Sequence, residues 1–225
     1  PRALKYVDER LLATPPVALM QVKKEIEYML DLVEENVNMS FDAMEGRNLT
    51  RGDKVRNNEK IIDFTNGALT KFLIKLSTDA SESDERVIGS YFHVLNDLER
   101  IGDHAENFMD ISVQMKADGL QFSEAALEEL AHVNATIDRM FALALDTFDS
   151  RTTDELEELA RLEDEIDTVK KQLSHNHFAR LAAGNCRMDL SAYFLSTLTG
   201  FERISDHLLN VGYSILNPTG SKAED

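Results

Sequence analysis

Cysteine is almost missing from this chain. Cys186 stands alone, which excludes an intrachain disulfide and a zinc cage built on thiolates, and fits a reducing compartment. Tryptophan is absent, and only 4 prolines and 10 glycines are spread over 225 residues. That scarcity excludes a turn-rich or collagen-like chain and points to a mostly helical one. Positive charge is scarce too: 24 Lys plus Arg face 41 Asp plus Glu, for a formal net charge of −17. Such a chain repels phosphate backbones, so nucleic acid is excluded as a partner, and cations or a basic protein surface are favoured. Long apolar runs are lacking. The uncharged run 190–201 falls well short of the roughly 20 apolar residues that cross a bilayer, and Lys5, Asp8, Glu9 and Arg10 interrupt any secretory signal. Pro1 in place of Met leads us to expect a piece of a longer polypeptide.

What the chain has is repetition. Leu98-Glu99-Arg100-Ile101-Gly102-Asp103-His104 recurs as Phe201-Glu202-Arg203-Ile204-Ser205-Asp206-His207, and Asn107 recurs as Asn210, at a constant spacing of 103 positions. On a helix, Glu99 and Asp103 stack on one face, as do Glu202 and Asp206. The repeat implies a pseudo-symmetric molecule with two equivalent sites.

Periodicity predicts six long helices, at about 17–44, 53–76, 84–115, 123–148, 152–183 and a last one reaching 215. Thr14-Pro15-Pro16 suits a first turn. Val94, Leu98, Ile101, Ala105 and Phe108 form an unbroken seam on the third helix, and Leu159, Leu162, Ile166, Val169 and Leu173 do so on the fifth. Ser123, with Phe122 and Leu127 as a staple, opens the fourth; Thr152 and Glu155 have capping-box spacing for the fifth. Gly119 and Gly184-Asn185 are stop signals. The expected fold is all-α, two pseudo-repeated three-helix bundles, laid side by side or sharing one core. We expect residues 1–16 as a linker, 17–118 as the first repeat, 119–217 as the second and 218–225 as a flexible tail.

The neighbouring helices carry a second set of acids. Glu59 and Asp63 are matched by Glu163 and Asp167, 104 positions on, each beside a core residue. Two carboxylates one turn apart grip a hard cation, and a second pair from an adjacent helix completes an oxygen shell suited to iron, manganese, magnesium, calcium or zinc. A plain ion-pair lattice involving Arg100 and Arg203 is the alternative. Glu106 and Asp110 extend the stripe on the third helix, whereas Leu209 and Asn210 break it on the sixth, so the halves should differ in cation affinity. A carboxylate di-iron oxidase needs paired Glu-x-x-His motifs; only Glu129 to His132 qualifies. His104 and His207 point away from the acids and are expected at a polar interface. No phosphate loop or nucleophile elbow is present.

Residues 99–107 and their echo at 202–210 resemble the duplicated signature of PhoU-type phosphate-signalling proteins. The resemblance implies a fold of two three-helix bundles and a regulatory module, not an enzyme. It also implies metal ligation, with iron or zinc foremost, by Glu59, Asp63, Glu99 and Asp103 in one half and by Glu163, Asp167, Glu202 and Asp206 in the other. Asp97 precedes the signature in the family's usual form and is counted among the candidate ligands, although its counterpart is Gly200. Residues 6–19 are similar to the segment that follows the last membrane span in sodium/phosphate cotransporter-like proteins, whose C-terminal domain is PhoU-like. This implies a cytoplasmic domain at the inner face of the plasma membrane, with the transporter part of the same polypeptide as partner and phosphate recruited through bound metal. Self-association is a further possibility; a free-standing adaptor restraining an ABC-type phosphate transporter and its sensor kinase is the alternative.

Overall fold

The structure, a computed structural model, describes residues 2–46 and 48–216. These residues hold six long helices and no strand: α1 Pro15–Gly46, α2 Gly52–Ser77, α3 Glu82–Ala117, α4 Glu124–Ser150, α5 Leu156–Ala182 and α6 Ser191–Tyr213, with 3-10 turns at Glu9–Ala13 and Met188–Leu190. The all-α six-helix expectation therefore holds; the tail expected at 218–225 lies outside the described residues.

Local signals set most helix ends. Ser81 and Ser123 cap α3 and α4, their hydroxyls accepting from the backbone N–H of Asp84 and Ala126. Gly119 and Gly184 adopt positive φ, 67° and 73°. The chain then folds back so that Leu120 N–H bonds Met115 O and Asn185 N–H bonds Arg180 O, closing α3 and α5 with left-handed caps. One expected cap does not form. α5 starts at Leu156, and Glu155 in its N-cap position makes no side-chain cap bond. α4 runs on to Ser150 and ends on Arg151 at φ 61°, and Thr152 bonds the Ser150 hydroxyl instead. The left-handed turn takes up the residues that the capping box needed.

α1, α3, α6 and α4 pack in a ring, each against the next; α2 lies on α1 and α3, and α5 on α4 and α6. One apolar core runs through both halves, so of the two packings expected, the shared one is found. Val94, Leu98, Ile101, Ala105 and Phe108 on α3 are fully buried, as are Phe201, Ile204, Leu208 and Val211 on α6. Each larger side chain of these seams contributes about 1.5–3 kcal/mol by leaving water. The rings of Phe108 and Phe201 stand 4.9 Å apart, joining the repeats at the centre.

The segment expected as a linker is folded back on the bundle: Val7 is buried in the core, and Glu25 of α1 binds the backbone of Lys5 and Tyr6.

Candidate cation sites

In the first half α2 lies against α3 where the repeat motif has a glycine. A Cβ on Gly102 would come within 2.9 Å of Glu59 Oε2, so the missing side chain is what lets the α2 carboxylate reach the α3 backbone. Glu59 is only 6% exposed, and its Oε2 has no hydrogen-bond partner among the described residues. Burial first, then the charges of Asp63, Glu106, Asp103 and Glu99, push its carboxyl up to about 8. Burial and Asp103 raise Asp63 as well, opposed by Arg2. Burial, Asp110, Asp103 and Asp63 raise Glu106, opposed by Arg56. Glu99 accepts from Asn66 Nδ2 at 2.8 Å. Glu59, Asp63, Glu99, Asp103 and Glu106 thus share one field, and one buried oxygen among them, Glu59 Oε2, has no hydrogen-bond partner.

The second half repeats the scheme with changes. Glu163 is buried on α5 and shares a hydrogen bond with Asp206, a contact between two carboxyls that requires one of them to carry a proton. Burial raises the Asp206 carboxyl; the bond to Glu163 and the nearby His207 oppose the shift, and Asp167 and Glu202 add to it. Glu163, Asp164 and Asp167 each present an oxygen within 4.8 Å of the others. Asp164 escaped the sequence analysis, although Glu-Asp-x-x-Asp is legible as three acids on one turn; its counterpart is Lys60. Glu202 is not left to a neutral amide: Lys170 Nζ donates to it at 3.0 Å, from the position that matches Asn66. Where Gly102 makes room in the first half, Ser205 is buried and donates to the Glu202 carbonyl.

Asp97 is placed differently from the other candidates. It lies two residues before Glu99, roughly 200° round the helix, and is buried between α3 and α6. There its Oδ1 meets His207 Nδ1 at 2.9 Å and Asn210 Nδ2 at 3.4 Å. Burial still raises its carboxyl against those bonds. Its counterpart cannot be an acid, because a Cβ on Gly200 would stand 2.5 Å from Phe108 Cε1: the ring fills the space. His104 and His207 face each other across this seam, ring centroids 6.2 Å apart, and burial followed by the charge of His207 lowers His104. The lone Glu-x-x-His is occupied elsewhere, since Glu129 pairs with Arg180 at 2.6 Å and accepts from Asn176.

The donor set is all carboxylate oxygen, which suits hard cations, and the partnerless Glu59 oxygen fits such an ion.

Comparison with known proteins settles the family. Residues 26–111 and 130–215 each match the PhoU domain, one match per repeat. The chain belongs to the PhoU family. It is 25% identical over 195 residues to the phosphate-specific transport system accessory protein PhoU homolog 1 of Thermotoga maritima, covering 86% of this chain and 83% of that protein. A PhoU homolog of Clostridium acetobutylicum is 22% identical over 86% of this chain and 88% of its own. The crystal structure of PhoU from Pseudomonas aeruginosa superposes with a TM-score of 0.81 at 23% identity, over 88% of this chain and 95% of that one. The phosphate transport system regulatory protein PhoU from Streptococcus pneumoniae superposes at 0.82 and 19% identity, over 94% and 100%. The fold is the PhoU six-helix fold.

Proposed function

We propose that this PhoU protein is an accessory regulator of phosphate transport that acts by contact on a transporter and its sensor kinase, not by catalysis. The observation that carries this reading is the pair of PhoU repeats, in a chain whose relatives bear the name phosphate-specific transport system accessory protein. Those relatives align over 82–88% of their own length. This supports a separate adaptor on the cytoplasmic side of an ABC-type transporter. A module carried by a sodium/phosphate cotransporter at the inner face of the plasma membrane is the second reading, favoured by the 6–19 segment; the coding sequence upstream of Pro1 separates the two. No helix among the described residues is long and apolar enough to cross a membrane.

In this reading Glu59, Asp63, Glu99 and Asp103, with Glu106, hold one cation site, and Glu163, Asp164, Asp167, Glu202 and Asp206 hold the other. Iron or zinc is the foremost occupant; manganese, magnesium and calcium suit the same oxygens. A cation held there supplies positive potential on a surface that otherwise repels phosphate. The residues of the chain keep the acids aligned and partly dry. Asp97 belongs to the α3–α6 contact in this scheme.

Deleting the gene should raise phosphate uptake in phosphate-rich medium, with restoration by the wild-type chain; uptake that stays at the wild-type level would overturn the regulatory role. Chelator-stripped protein should lose phosphate binding, and equal binding by stripped and loaded protein would remove the cation from the mechanism.

A further inference from the structure

The turns that end α3, α4 and α5 each hold a residue in the left-handed region: Gly119, Arg151 and Gly184. Glycine takes that conformation without steric cost and arginine does not, so the strain at 151 is offset by what the side chain contacts. Its guanidinium lies over two rings, 5.4 Å from the centroid of Phe148 and 5.8 Å from that of Tyr91. Stacking on rings supplies no hydrogen-bond acceptor in the guanidinium plane. Arg151 Nη1 is buried and has no hydrogen-bond partner among the described residues, an unfavourable state for a charged donor unless an acceptor is brought to it.

Arg151 shares the lining of a cavity of about 160 Å3 with Arg86, Val87, Ile215 and Leu216. Ser90 and Ser214 close it, the buried Ser90 hydroxyl donating to the Ser214 carbonyl at 2.8 Å and tying α3 to the end of α6. No carboxylate lines this cavity, in a chain where acids outnumber bases 41 to 24. Neither arginine forms an ion pair or donates a side-chain hydrogen bond among the described residues. The volume is below the roughly 300–1,000 Å3 of pockets for drug-sized ligands, so the ligand is small. The lining has two chemistries: two permanent cations, and the aliphatic side chains of Val87, Ile215 and Leu216. A bare inorganic oxyanion uses only the first. A short run of methylenes with a carboxylate at each end uses both, since each carboxylate pairs its two oxygens with the fork of a guanidinium while the methylenes lie against aliphatic carbon.

We propose that this cavity, at the junction of α3, α4 and α6, binds a short aliphatic dicarboxylate between Arg86 and Arg151. Arg151 holds one carboxylate through the edge that carries the partnerless Nη1, and Arg86, exposed on α3, takes the other. The ligand bridges α3 of the first repeat to α4 and α6 of the second, so its binding ties the halves together at this end. Arg86 lies roughly 20 Å along α3 from Glu99. The site needs no metal, and its test is independent of the cation sites and of the regulatory reading.

Succinate and glutarate, titrated by calorimetry into the chelator-treated full chain, test the site. The wild-type protein should bind both more tightly than acetate, which fills one fork only, and inorganic phosphate should compete poorly. Arg151→Gly removes the guanidinium while relaxing the left-handed backbone, so the variant keeps its fold. It should weaken succinate binding about ten- to hundredfold, the range of a lost hydrogen bond to a charged group. Arg151→Lys keeps the charge without the fork and should recover little of that loss. Arg86→Gln, at an exposed position, should weaken binding about two- to fivefold. Titrations with and without chelator should agree, which separates this site from the acid clusters. Succinate held no more tightly than acetate, or equally by wild type, Arg151→Gly and Arg86→Gln, would overturn the proposal. If phosphate displaces succinate at equal concentration, the cavity reads charge alone and the dicarboxylate assignment falls.

Discussion

In the first half, α2 and α3 gather Glu59, Asp63, Glu99, Asp103 and Glu106 with neutral Asn66 bonded to Glu99. In the second, α5 and α6 gather Glu163, Asp167, Glu202 and Asp206, with Asp164 alongside and charged Lys170 bonded to Glu202. The extra acid lies on the inner helix in the first half and on the outer one in the second, where Leu209, at the position of Glu106, is buried in the core. The two halves share what the packing demands: helix register, the spacing of acids, and a small residue, Gly102 or Ser205, before the motif aspartate. Charge balance, which packing does not constrain, differs. Two copies of one motif are therefore two acid clusters with different charge balance.

The largest consequence is in pH dependence. The ordinary value of 4.5 for Glu59 rises to about 8 in the fold. Below the first value Glu59 is protonated whether folded or unfolded and contributes nothing. Between the two, the folded protein keeps a proton that the unfolded chain has released, so stability falls as pH rises, and above pH 8 the penalty is complete. In cation-free protein, Glu59→Gln should remove this slope and leave the variant more stable above pH 8 by about 2–4 kcal/mol. Asp206 is shifted in the same direction, and Asp206→Asn should flatten the profile less, since that carboxylate is more exposed. Denaturant melts across this range make the measurement. Parallel profiles for wild type and Glu59→Gln would show that the first cluster is no more strained than the second.

The glycines give the next effect. Gly200→Ala forces a Cβ to within 2.5 Å of the Phe108 ring, at a fully packed junction, and should cost about 1–3 kcal/mol. Gly102→Ala meets only the far end of the Glu59 side chain at 2.9 Å, which can swing away. It should cost less in stability and act mainly on cation binding. Equal destabilisation by the two would mean that Glu59 is held as rigidly as an aromatic ring in the core.

Features that act within one turn were legible in the sequence: the seams on α3 and α5, the Ser123 cap, the stops at Gly119 and Gly184, and the stacking of acids four apart. The Thr152 cap failed because a left-handed Arg151 depends on where α4 stops, which the capping pattern does not encode. Helix geometry alone puts Asp97 on a different face from Glu99, but not which helix that face meets. The pairing of Asn66 with Glu99 and of Lys170 with Glu202 depends on the register between helices, and no single helix carries it. The docking of the N-terminal segment on the bundle was hidden for a related reason. Residues 2–14 have no periodicity, and the carboxylate that holds them is 19 to 20 positions away.

The smallest change in stability carries the sharpest test of the comparison. Asn66 and Lys170 occupy matching places, 104 positions apart, and each bonds the first acid of its repeat motif. Both lie at partly exposed sites, Lys170 and Glu202 being 26% and 29% exposed, so exchanging them should move stability by only about 0.2–1 kcal/mol. Cation binding should respond more. Asn66→Lys places a fixed ammonium beside Glu99 and should weaken the first cluster for Mn2+, whereas Lys170→Asn frees Glu202 and should strengthen the second. The double exchange should then reverse the order of the two affinities while leaving the total capacity unchanged. If the order survives the exchange, this residue pair does not set the difference between the halves, which would instead come from the position of the fifth acid, Glu106 on α3 against Asp164 on α5. Glu106→Gln and Asp164→Asn would then separate those two contributions by the same titration.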